Sequence, residues 1–181
     1  MKEAENHEYF MREALREGEK ALALGEFPVG AVMVVESRIL VRAHRQASQL
    51  AERNELDHAE MNALRLFWQQ FPLEDRDQVY LYSTLEPCLM CYSALLLSGL
   101  RHFIWSYEDV MGGGMSLPLS QLQPLYASMQ VESLGGVLRH ESLSLFQRFF
   151  KKYDYWQGSL LAEYTLAQHD TRSGVCARDH K

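Results

Sequence analysis

The chain has 181 residues, of which 47% are hydrophobic and 23% charged, and its net charge is −6. That length suits one domain with a real core and is short for two, and the composition lies far from the disordered regime. The negative charge excludes a global field that would draw in a polyanion such as nucleic acid, and leaves only a local basic patch for that role.

The opening stretch MKEAENHEYFMREALREGEK is charged throughout and has no apolar run of secretory length, and no stretch approaches a membrane span. The sequence therefore reads as a soluble, cytoplasmic protein. Phe10, Ala14, Leu15 and Leu22 recur at helical spacing, which predicts a first helix over 7–24 that Gly25 stops. The β-branched run AVMVV (31–35) and RILVRA (38–43), separated by Glu36 and Ser37, predict two tightly joined strands, with a polar loop over 44–56. A second helix is expected over 57–71, capped by Asp57 and followed by Pro72. VYLYST (79–84) reads as a strand, CLMCYSALLLSG (88–99) as a helix closed by Gly99, and HFIWSY (102–107) as a strand.

The glycine triplet 112–114 has no lysine after it in the manner of a phosphate-binding loop, and reads as a flexible loop. A short helix near 119–128, a strand near 129–134 and an amphipathic helix over 141–152 follow. Strands alternating with helices predict a three-layer α/β domain with helices on both sheet faces. The expected division is one domain over 1–152 and an extension over 153–181. The aromatic, leucine-rich first part of that extension should dock as helix or strand, and its polar end should be mobile. Trp68, Trp105 and Trp156 read as core or interface residues rather than base-stacking platforms.

Three cysteines form an odd, sparse set, which argues against a disulfide framework and for use as thiolates. Cys88 and Cys91, in EPCLMC, sit at i and i+3 of a predicted helix, so both sulfurs lie on one face of its first turn. The helix N-terminus lowers thiolate pKa and helps hold two thiolates together. HAE (58–60) begins the other helix that follows a strand pair. If both helix starts meet at one sheet edge, His58 faces the two sulfurs, and one nitrogen with two thiolates suits zinc. Three ligands leave a position for water, whose pKa falls toward neutrality on zinc, the catalytic rather than structural pattern. Glu60 is placed to reach that water without being a ligand, where a proton shuttle belongs.

A redox pair would leave HAE unexplained. A structural zinc site would need a fourth ligand, and Cys176, the one spare thiol, lies in the polar tail and reads as a free surface thiol. H-x-E alone is weak, whereas P-C-x-x-C arises by chance in roughly one such composition in a thousand. Together they are the known signature of zinc nucleobase deaminases.

At these residues the sequence resembles the cytidine deaminase superfamily, and within it the bacterial tRNA adenosine deaminases. The similarity runs over about 8–150, in FPVGAV (27–32), HAEMNALR (58–65) and TLEPCLMC (84–91), and more loosely in the glycine loop and Phe149–Phe150. The resemblance implies a cytidine-deaminase-like α/β/α domain around a central five-stranded mixed sheet. It implies one zinc ion per chain on His58, Cys88 and Cys91, and Glu60 as proton shuttle. It also points to a homodimer, as do the apolar Met90, Leu95, Leu96 and Leu97.

The implied reaction is hydrolytic removal of a nucleobase's exocyclic amine, adenosine to inosine in tRNA first, with a free guanine-, cytosine- or adenosine-type base or nucleoside as the alternative. Val29 and Leu85 are candidate walls for the base. Arg45 is a candidate substrate contact, although Arg45, Gln46 and Ala47 stand where tRNA-acting members read N-R-P, so the polar contact expected from asparagine is missing. Tyr92, Ser93 and Ala94 also depart from the family pattern, and the basic tail is reduced to Arg148, Lys151 and Lys152.

Overall fold

A computed structural model describes residues 2–49, 53–72 and 74–168. Cys176 and the polar end of the chain lie outside the described residues. Five strands form one mixed sheet in the order β2-β1-β3-β4-β5, with β1 Gly30–Val35, β2 Arg38–His44, β3 Tyr80–Leu85, β4 His102–Tyr107 and β5 Glu132–Leu134. β1 runs antiparallel to β2 and β3, while β3, β4 and β5 are parallel. The tight turn between β1 and β2 puts Glu36 and Ser37 at positive φ, 47° and 66°, the twist that favours a two-residue hairpin.

β1 reads as an unbroken apolar run, and β3 and β4 are mostly apolar or aromatic, because both faces of these strands are covered. Val32, Val34, Tyr82 and Ile104 face helix α1 (Lys2–Ala23), whose Phe10, Met11 and Ala14 close that side. The alternate residues Ala31, Met33, Leu81 and Phe103 join the larger core with Ala63 and Phe67 of α2 (Ala59–Gln70) and Leu95 of α3 (Leu89–Leu97). This period-two sorting yields the expected three layers around five strands. Gly30 lets α1 approach β1 closely: a Cβ there would stand 2.1 Å from the Ala14 carbonyl oxygen.

Several bounds differ from expectation. α1 begins at Lys2 rather than near residue 7, because its first turn is made of good helix formers without an apolar stripe to mark it. The helix expected near 119–128 divides into a 3-10 turn at Leu119–Gln121 and a short α4 at Pro124–Ala127. β5 is three residues long.

Helix α5 (Arg139–Lys152) packs against α1 and β4. The chain then turns back through 153–159 into α6 (Leu160–Ala167), capped by the Ser159 hydroxyl. α6 buries Leu161, Ala162 and Thr165. It is held by the Tyr107 hydroxyl on Thr165 Oγ1 (3.2 Å) and by Gln147 Nε2, which donates to the carbonyls of Thr165 and Gln168. The first part of the extension thus docks as a helix.

Candidate metal centre and base pocket

Sheet direction decides what meets at the site. The C-terminal end of β3, the start of β1 and the end of β2 lie at one edge, as the pairings Ala31 with Ser83 and Gly30 with His44 require. The ladder continues one step further through the Arg45 N–H on the Val29 carbonyl, 2.9 Å. Val29, Arg45 and Leu85 therefore converge, and α2 and α3 start beside them.

His58 and Cys88 are the N-cap residues of α2 and α3, both with extended backbone (ψ 153° and 167°) and neither using its side chain to cap. At an N-cap the side chain leaves the helix end, so the imidazole and the thiol face each other across the gap between the two helices. Expectation had placed Asp57 at the α2 cap and Cys88 inside the first turn of α3. Both true caps lie one residue later than expected, and Pro87 precedes the cap of α3. Cys91, three residues on in α3, brings the second sulfur to the same point.

His58 Nδ1 lies 3.6 Å from Cys88 Sγ and 3.5 Å from Cys91 Sγ. Zinc bonds of about 2.1 Å to nitrogen and 2.3 Å to sulfur at a tetrahedral angle place those atoms about 3.6 Å apart. Both nitrogen–sulfur pairs thus already stand at the separation a zinc ion requires, with all three donor atoms within 4.8 Å of one another. Among the described residues they form the one group of three or more His, Cys, Asp or Glu side chains able to hold a metal ion.

Cys88 is held down at about 4, first by the hydrogen bond from the Cys91 thiol and then by His58, against the effect of burial. The same hydrogen bond, burial and the neighbouring Glu60 push Cys91 well up. The sulfurs thus share a proton, which a divalent cation displaces on binding.

Glu60, in the first turn of α2, is only 3% exposed. Ser83 Oγ donates to its Oε1 at 3.1 Å, and the Cys91 thiol points at Oε2 from 3.7 Å. Burial pushes its carboxyl upward against the pull of His58 and Ser83. A carboxyl raised by burial beside the metal donors is placed for general acid–base work.

A pocket of about 100 Å³ opens onto these groups, lined by Val29, Arg45, His58, Glu60, Leu85 and Cys88 among others. All seven site residues singled out from the sequence gather here, six on the pocket wall and Cys91 behind it. Further wall residues were not singled out from the sequence as site residues, among them Glu55, Glu86, Asp109, Tyr155 and Trp156.

Glu86 receives the N–H groups of Met115 (3.1 Å) and Asp109 (3.3 Å), which pins the loop over 109–115 against the Pro87–Cys88 turn. Gly113 pairs with Cys88 as an isolated bridge, and a Cβ on it would stand 2.6 Å from the Glu86 carboxyl carbon. The glycine triplet is therefore a close-packed cover, and its expected flexibility is corrected: glycine is needed for approach.

Trp156 is not only a core residue. Its ring stacks on Tyr155 at 15° and packs on Phe27, and both aromatic residues border the pocket. Trp156 holds a left-handed φ of 58°, which costs a bulky residue about 1 kcal/mol or more and is sustained here by this packing.

This donor set beside a buried carboxylate, set on the edge of this sheet, defines a zinc-dependent deaminase. Residues 4–107 match the family described as the cytidine and deoxycytidylate deaminase zinc-binding region, and the chain belongs to that family. Its relatives include the tRNA-specific adenosine deaminases of Aquifex aeolicus, 36% identical over 80% of this chain and 94% of that one, and of Bacillus subtilis, 33% identical over 80% and 89%. A solved structure from work on A-to-I editing by tRNA:A34 deaminases superposes with a TM-score of 0.63 at 27% identity, covering 76% of this chain and 98% of that one.

Proposed function

We propose that the protein deaminates adenosine to inosine within tRNA, with His58, Cys88 and Cys91 holding one zinc ion and Glu60 moving the protons. The observation that carries this is the pair of nitrogen–sulfur distances, 3.5 and 3.6 Å, beside a buried carboxylate. Bound zinc supplies a water of lowered pKa. Glu60 takes that water's proton and returns protons to the ring nitrogen and the departing amine, so one carboxylate serves both directions. Val29 and Leu85 hold the flat base so that its amine-bearing carbon faces the metal. Residues 153–168 act with the domain over 1–152, since Tyr155 and Trp156 complete the pocket wall.

The tRNA substrate rests on the relatives' activity. An unpaired loop base enters such a pocket at a lower cost than one in a duplex. The second reading, a free base or nucleoside, is favoured by the wall itself, because the carboxylates Glu86 and Asp109 line the pocket and repel a polyanion. The two readings separate in a panel of transcribed tRNAs, adenine, adenosine, guanine, guanosine, cytosine and cytidine at 50 and 200 mM salt. Inosine forming only in tRNA, with kcat/KM falling steeply as salt rises, supports the first reading. Rapid ammonia release from a free base or nucleoside, without a salt slope, replaces it. Arg148 is paired with Glu19, so Lys151 and Lys152 are expected to carry more of that slope.

The protein is further proposed to work in the cytoplasm as a homodimer. No helix among the described residues is long and apolar enough to cross a membrane. Leu95 and Leu96 are spent inside the core, but Leu89 and Leu97 of α3 remain 52% and 57% exposed. These two supply an apolar contact for a second copy. Light scattering at micromolar concentration should give twice the chain mass, and a monomer would contradict the proposal.

A further inference from the structure

Arg45 is 3% exposed, yet its charge is only half used. Nη2 donates to Glu55 Oε2 at 3.0 Å, and Glu55 is shared with Arg53, so the three side chains keep one net positive charge. Nη1 is buried and makes no hydrogen bond among the described residues, although the Tyr155 hydroxyl borders the guanidinium. A buried guanidinium nitrogen without an acceptor is costly, and its place on the pocket wall indicates where the acceptor comes from.

We propose that Arg45 reads the substrate: Nη1 donates to a lone pair on the edge of the base that points away from the zinc site, while the stacked Tyr155 and Trp156 hold the ring. This rests on the deaminase reading and adds a selection rule to it. A guanidinium has donors and no acceptor, so it accepts a ring nitrogen or carbonyl oxygen at that position and rejects an amino group. A phosphate is a poorer occupant, because Glu60, Glu86 and Asp109 line the same pocket and would face a second anion.

The test uses zinc-loaded wild type, Arg45→Met and Arg45→Lys, with adenosine supplied both as the nucleoside and in an anticodon stem-loop. Each substrate is also prepared with carbon in place of N7 or N3. Arg45→Met should lose about 10- to 100-fold in kcat/KM, the range for a hydrogen bond from a charged donor. Lysine should recover part of that loss. One of the two carbon-for-nitrogen substrates should lose a similar factor with wild type and almost nothing further with Arg45→Met.

Because Arg45 also braces Glu55, and Glu55 Oε2 lies 4.0 Å from His58 Nε2, zinc content and melting temperature are measured in parallel. Equal losses by Arg45→Met on all three forms of the base, or wild-type kcat/KM with that variant, would overturn the proposal. If wild type turns over neither form of adenosine, the adenosine reading is what fails. The same comparison then runs on guanine with its 7-deaza and 3-deaza forms and judges Arg45 by the same criteria.

Discussion

Glu60→Gln is expected to lower kcat by about 10²- to 10⁴-fold, the usual contribution of a positioned acid–base group, while leaving zinc content and melting temperature near wild type. The amide keeps the shape of a side chain that is 3% exposed and can still accept the Ser83 hydrogen bond. It cannot take a proton from water and deliver it to the ring. A loss confined to kcat identifies a proton-transfer role, whereas a loss confined to KM would indicate binding. Ammonia release near the wild-type rate would remove Glu60 from the mechanism.

The second large effect is expected from the metal donors. His58→Ala and Cys91→Ala should each drop bound zinc from one per chain to near zero at micromolar metal, and abolish turnover with it. His58 Nδ1 stands 3.5 and 3.6 Å from the two sulfurs, and no other such donor group exists among the described residues to take over the site. Both variants should also lose the stabilisation that bound metal gives the folded chain, about 4 kcal/mol when free zinc is a thousandfold above Kd. That loss appears as a melting temperature that no longer responds to added zinc. Zinc content at the wild-type level in either variant would show that the ion sits elsewhere.

The strands were legible in the sequence because β1, β3 and β4 are apolar on both faces and rich in β-branched or aromatic residues. The two sulfurs were legible because P-C-x-x-C is rare by chance, and His58 gained its meaning only from them. The details that make the donors converge were not. Capping preferences favour Asp57, yet His58 and Cys88 occupy the N-caps and make no capping bond, so the local rule yields to the site. The roles of Glu86 and the glycine triplet depend on a contact between residues 86 and 115, which no local pattern encodes. Trp156 read as a core or interface residue, and Tyr155 as part of a docking segment. Only the return of the chain into α6 carries them to the pocket, and the left-handed backbone at Trp156 has no signature in its side chain.

Arg45 shows the same limit from the other direction. Its identity marked it as a departure from the family pattern, but the unpaired Nη1 that gives the departure a chemical meaning appears only once the β1–β2 ladder is extended past its last strand residue.

The most direct measurement is a zinc titration of chelator-stripped protein, following ammonia release from the panel substrate that wild type turns over fastest. The account predicts no release from the metal-free protein, a linear rise with added zinc, and a plateau at one zinc per chain. Full activity in the stripped protein, or a plateau unrelated to zinc content, would contradict the reading of His58, Cys88, Cys91 and Glu60 as one hydrolytic centre.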